Sequence, residues 1–123
     1  MTMTMKTMAK ILLAEDDDDM RNFLVKALQK AGHEVTSFGE GLSAFEEIKQ
    51  TSFDLLLTDI VMPEMDGITA AEQIISLAPV LMLTAKGQKK DRRAAEDAGV
   101  SKFMTKPFDN EELIKHVKLM INS

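Results

Sequence analysis

The chain has 123 residues, no cysteine and a formal net charge of −5. That length holds one hydrophobic core and not two, the missing thiols exclude disulfides and thiolate metal sites, and the negative charge argues against a general nucleic-acid binder. With 45% hydrophobic and 28% charged residues the composition is that of a folded globular protein; no apolar run approaches the roughly 20 residues of a membrane span, and the absence of cysteine fits a cytoplasmic location.

The opening Met1-Thr2-Met3-Thr4-Met5-Lys6-Thr7-Met8 lacks the continuous apolar segment of a signal peptide. It reads as a flexible tail over 1–8 ahead of one domain over 9–123. Ala9-Lys10-Ile11-Leu12-Leu13-Ala14 is short, apolar and bounded by charge, which marks a buried strand. Glu15 and four aspartates follow, and then Met20, Phe23, Leu24, Ala27, Leu28 and Ala31 recur at helical spacing up to Gly32. Asp17, Asp18 and Asp19 suit the N-terminal cap and dipole of that helix better than they suit metal ligation. Glu34 to Phe38 is a short second strand; Leu42, Phe45 and Ile48 define a second helix ending near Thr51.

Phe53 to Thr58 is a third strand, apolar enough for burial on both faces as in a central parallel strand. It delivers Asp59 at its end, and Pro63 stops it from continuing as a paired element. After the Asp66-Gly67 turn, Ile68, Ala71, Ile74, Ile75 and Ala78 mark a third helix up to Pro79. Val80-Leu81-Met82-Leu83-Thr84 is a fourth strand, 88–98 a fourth helix stopped by Gly99, 102–105 a fifth strand, and Asp109 caps a final helix with Leu113, Ile114, Val117, Leu119 and Ile121. Strict β-α alternation selects an α/β fold: a parallel sheet with helices on both faces. His33 and His116 stand apart, without His or Cys neighbours, and read as surface or turn residues.

In an open parallel sheet, ligands bind beyond the carboxyl ends of the strands. Four of the five strands end there in a functional group: Glu15 and Asp16, Asp59, Thr84, and Lys106. Three converging carboxylates repel one another unless cations compensate. Lys106 supplies one positive charge, and the oxygen-rich remainder suits Mg²⁺. With that ion, Asp59 becomes a plausible acceptor for in-line phosphoryl transfer.

Leu13-Ala14-Glu15-Asp16-Asp17, Leu57-Thr58-Asp59 with Met62-Pro63 and Met65-Asp66-Gly67, Leu83-Thr84-Ala85 and Lys106-Pro107-Phe108 together resemble the signature of receiver domains of two-component response regulators. The resemblance covers about residues 9 to 121. It implies a flavodoxin-like, doubly wound five-stranded sheet in the order 2-1-3-4-5, and a stand-alone receiver that catalyses only its own phosphorylation and dephosphorylation. By the same resemblance Asp59 accepts a phosphoryl group from a sensor histidine kinase or a histidine phosphotransfer protein. Asp16 ligates Mg²⁺ directly and Glu15 through water, with Asp59 itself and the backbone carbonyl of Val61 completing the set. Thr84 and Lys106 bind phosphoryl oxygens, a cis peptide precedes Pro107, and Thr84 with Phe103 forms the switch, although Phe103 also reads as ordinary packing.

Lys86, Lys89, Lys90, Arg92 and Arg93 form a basic stretch that is either a solvated face or part of a docking surface. The family docks partners on the fourth helix, fifth strand and fifth helix, which implies a downstream protein on that face; this chain is expected to be a monomer or weak dimer without direct nucleic-acid or membrane binding. The first half looks most like receivers of the alphaproteobacterial cell-cycle and proteolysis-adaptor type. Between Asp66-Gly67 and Thr84 the chain is a few residues shorter than is usual in the family, so the helix before Pro79 is expected to be short or displaced and less stable. Val61 cannot orient an attacking water, which implies an aspartyl phosphate no shorter-lived than the family norm.

Three rivals fit less well. An aspartyl-nucleophile phosphatase usually carries a second acid two residues after the nucleophile, where this chain has Val61. A flavin-binding protein needs a phosphate loop after the first strand, and the acidic run at 15–19 would repel a phosphate. A pseudo-receiver or adaptor acting without phosphorylation is disfavoured by the complete set of site residues.

Overall fold

A computed structural model describes residues 8–59, 77–85, 89–100 and 102–122. The described elements are β1 (Lys10–Ala14), α1 (Asp18–Lys30), β2 (Glu34–Phe38), α2 (Gly41–Gln50), β3 (Leu55–Asp59), β4 (Val80–Thr84), α3 (Lys89–Asp97), β5 (Lys102–Thr105) and α4 (Asn110–Ile121). The strands form one parallel sheet in the order β2-β1-β3-β4-β5, which is the expected doubly wound arrangement. The helix expected before Pro79, Val61, the Met62-Pro63 and Asp66-Gly67 turns and Lys86 lie outside the described residues.

The sheet is covered on both faces, and the strands alternate between them. Ile11, Leu13, Leu55, Leu57, Leu81 and Leu83 pack on one side with Leu24 and Leu28 of α1 and Leu113, Val117 and Met120 of α4. Leu12, Leu56, Val80 and Met82 pack on the other with Ala44, Phe45 and Ile48 of α2 and Ala95 of α3. This two-sided burial is why β1, β3 and β4 read as continuous apolar runs.

Local chemistry fixes the helix ends. Asp17 caps α1 by accepting the Met20 N–H at 2.9 Å, and Asp109 caps α4 by accepting the Glu112 N–H at 2.8 Å. At the other end of α1, Gly32 takes φ 96°, while the Gly32 and His33 N–H groups donate to Gln29 and Leu28 carbonyls. Gly99 repeats this after α3 with φ 109°, its N–H and that of Val100 donating to Glu96 and Ala95. Both are left-handed glycine stops that satisfy carbonyls at the helix end.

Two expectations are corrected. His33 is buried rather than on the surface: its Nδ1 accepts the Ala9 N–H at 3.0 Å, tying the turn after α1 to the start of β1. Leu42 and Leu119 have helical spacing but remain exposed. In α4 the buried stripe runs Leu113, Val117, Met120, and Leu119 lies about 200° around the helix from Val117, since each residue advances about 100°.

Candidate functional site

Strand register alone brings the chemistry together. Ala14 is paired with Thr58, so one step further Glu15 meets Asp59 at the carboxyl end of the sheet. Asp59 is itself the last residue of β3, paired with Leu83, and Thr84 is paired with Thr105. The Lys106 N–H donates to the Thr84 carbonyl at 2.6 Å, and the Lys106-Pro107 peptide is cis, as expected.

Lys106 lies at the centre of this edge. Its Nζ is 3.0 Å from Asp59 Oδ2 and 3.1 Å from Glu15 Oε1, linking the ends of β1, β3 and β5. Glu15 is fully buried. Its other oxygen, Oε2, accepts the Asp17 N–H at 3.3 Å, so both carboxylate oxygens already have protein donors. Burial is the main reason the Glu15 carboxyl is pushed up to about 7; the hydrogen bond and negative charge of Asp59 add to this, while Lys106 opposes it. Burial by itself would lower the Lys106 pKa, but Asp59 first and Glu15 second outweigh it, and the ammonium is held above its usual value.

Glu15, Asp16 and Asp59 each offer a carboxylate oxygen, and these oxygens lie within 4.8 Å of one another. An oxygen-only, anionic donor set of this size fits a hard cation such as Mg²⁺. Both Glu15 oxygens are engaged by protein donors, whereas Asp16 is exposed.

Thr84 is buried beside this cluster, and its hydroxyl donates to the Thr105 hydroxyl at 3.5 Å. Phe103, paired with Met82 in the sheet, is partly buried against the face formed by Leu56, Met82 and Ala95. The Arg92 guanidinium sits 4.7 Å from the centre of its ring, and Arg92 also pairs with Glu96 at 3.2 Å. Of the anticipated site residues, Glu15, Asp16, Asp59 and Lys106 thus share one cluster with Thr84 tied to its edge, whereas Phe103 stands on the flank.

One contributor was not anticipated. Arg21 in the first turns of α1 reaches back to the acidic loop, where Nη1 donates to the Glu15 carbonyl at 2.9 Å and Nη2 pairs with Asp18 at 2.5 Å. A lone arginine at the start of a helix carries no sequence signal for such a contact.

Residues 11–118 match the response regulator receiver domain family. The chain is 47% identical over 120 residues to the response regulator receiver protein CpdR of Brucella abortus, covering 93% of this chain and 98% of that protein. It is 34% identical over 116 residues to the transcriptional regulatory protein CpxR homolog of Haemophilus influenzae, where it spans 51% of the relative's length. Among solved structures, the chemotaxis response regulator CheY4 of Vibrio cholerae superposes with a TM-score of 0.85 at 28% identity, covering 93% of this chain and 99% of that one. The receiver domain of a sensor histidine kinase from Pseudomonas aeruginosa, which has a magnesium ion coordinated in its active-site cleft, gives 0.86 at 28% identity, with 94% and 98% covered.

Proposed function

The chain belongs to the receiver domains of two-component response regulators, and from that membership we propose that Asp59 accepts a phosphoryl group from a phosphohistidine on a sensor kinase or phosphotransfer protein. The observation that supports this reading is the joint grip of Lys106 on Asp59 and Glu15, two carboxylates and an ammonium at one sheet edge.

In the transfer, an Asp59 carboxylate oxygen bonds to phosphorus as the P–N bond to the donor imidazole breaks, and the imidazole leaves with the electron pair and takes up a proton. Asp16 and Asp59, the carbonyl of Val61, and Glu15 through water would hold Mg²⁺, which when bound neutralises charge on the transferring oxygens. Lys106 is close enough to Asp59 to turn its ammonium onto a phosphoryl oxygen. Thr84 exchanges its long contact with the Thr105 hydroxyl for a second phosphoryl oxygen.

Phosphorylation adds roughly −1.5 to −2 charges and three acceptor oxygens at this edge. Drawing Thr84 towards them opens space on the flank, and Phe103 turns inward, releasing Arg92 from its ring. The readout face is then α3, β5 and α4, where a downstream protein distinguishes the two packings.

The test is a titration with Mg²⁺ and beryllofluoride followed by backbone amide NMR. Mg²⁺-dependent shifts at Asp59, Thr84, Phe103 and Lys106 that vanish in Asp59→Ala support the reading. Identical spectra with and without beryllofluoride overturn it.

A further inference from the structure

We infer that Arg21 is a positioning residue for the cation site: it fixes the peptide plane between Glu15 and Asp16 and so sets where the Asp16 carboxylate points. This rests on the reading of Glu15, Asp16 and Asp59 as a Mg²⁺ site. Glu15 is held through both backbone groups, its N–H donating to the Phe38 carbonyl at 3.1 Å and its carbonyl accepting from Arg21 Nη1 at 2.9 Å. That carbonyl belongs to the peptide that leads into Asp16, so rotation of the peptide swings the Asp16 side chain away from Asp59. Asp16 itself is exposed, and the peptide behind it is the fixed part of its support.

The rest of the geometry serves the same contact. The Arg21 side chain is mostly buried, its N–H continues α1 by donating to the Asp17 carbonyl at 2.8 Å, and Asp18 anchors its second nitrogen. Residue 39 lies beneath the guanidinium: a Cβ built on Gly39 would stand 3.0 Å from Arg21 Nη1 and 3.6 Å from Cζ. Glycine at the end of β2 therefore leaves the room the guanidinium occupies. Arg21 binds the Glu15 backbone and leaves the Glu15 carboxylate to Lys106 and the Asp17 N–H. Its action on the cation is through orientation of the loop, the role that outer-shell partners play around metal ligands.

Three variants test this. Arg21→Met keeps the alkyl stem and removes the donors, Arg21→Lys retains the charge with a single donor group, and Gly39→Ala crowds the guanidinium from below. The chain has neither Trp nor Tyr, so Mg²⁺ affinity is read from amide NMR shifts of the folded protein. Outer-shell losses typically weaken metal binding about 10- to 100-fold. Arg21→Met is expected at the lower end of that range, with Arg21→Lys recovering part of the loss and Gly39→Ala falling between the lysine variant and the unmodified protein. Equal affinity in folded Arg21→Met and unmodified protein overturns the inference, as does a lysine variant that recovers nothing. Should the methionine variant not fold, an unchanged affinity in both Arg21→Lys and Gly39→Ala overturns it. Absence of any Mg²⁺-induced shift in the unmodified protein instead overturns the cation site itself.

Discussion

Asp59 and Glu15 share the ammonium of Lys106 at 3.0 and 3.1 Å, so that one side chain both pairs the carboxylates and competes with any metal they hold. Lys106→Met removes the competitor, and the remaining carboxylates are expected to bind Mg²⁺ roughly three- to tenfold more tightly, the scale of one nearby charge in a partly solvated site. The same variant should lose the beryllofluoride-dependent shifts at Thr84 and Phe103, because the group proposed to grip the phosphoryl oxygen is gone. NMR titration measures both, and weaker Mg²⁺ binding in Lys106→Met would contradict the competition. His33 gives a second test at this scale. Burial lowers its pKa from 6.5 in the folded protein, and its neutral Nδ1 accepts the Ala9 N–H. Below 6.5 the unfolded chain binds the proton more readily, so the contribution of His33 is complete above that pH and is lost progressively as pH falls. Thermal unfolding of His33→Gln, compared with the unmodified protein, is expected to show a shallower loss of stability on acidification; parallel curves would count against it.

At the scale of the element, three strands do most of the placing. Leu57 is fully buried on the face that α1 and α4 cover, and it lies two residues before Asp59. Truncation to alanine at such a site costs about 2–5 kcal/mol, whereas Leu119→Ala, on the exposed side of α4, is expected to change stability by no more than about 0.5 kcal/mol. Chemical denaturation of the two variants checks the contrast, and similar losses would mean that α4 is docked by another face. The central strands were legible because burial on both sides makes them apolar up to their last one or two residues, Thr58 and Asp59 in β3 and Thr84 in β4. Their bounds were less so: Phe53 is buried yet precedes the ladder, and Asp59 pairs within it rather than after it. The caps at Asp17 and Asp109 and the stops at Gly32 and Gly99 were readable since each is a local bond between near neighbours. Arg21 and His33 were not, because their partners, Glu15 and Ala9, are reached only once α1 folds back along β1.

Across the whole molecule, the parallel register converts separate strand endings into one site: Ala14 opposite Thr58, Asp59 opposite Leu83 and Thr84 opposite Thr105 together bring Glu15, Asp59 and Lys106 to one edge. The ordered set of motifs made that convergence legible from the chain alone, whereas the hydroxyl contact of Thr84 with Thr105 and the stacking of Arg92 on Phe103 depend on neighbours across strands and helices. If that stacking holds Phe103 in its resting position, Arg92→Ala should carry Phe103 and β5 part of the way towards their beryllofluoride-bound NMR shifts without any ligand; unchanged resting shifts would exclude such a restraint. No described helix is long and apolar enough to cross a membrane. The proposed function turns on Asp59 as the phosphoryl acceptor. Intact-mass measurement after incubation with Mg²⁺ and acetyl phosphate, or with a phosphorylated histidine phosphotransfer protein, tests it most directly. The unmodified protein is expected to gain the mass of a single phosphoryl group and Asp59→Ala none; equal labelling of the two, or no labelling of the unmodified protein by either donor, would contradict the claim.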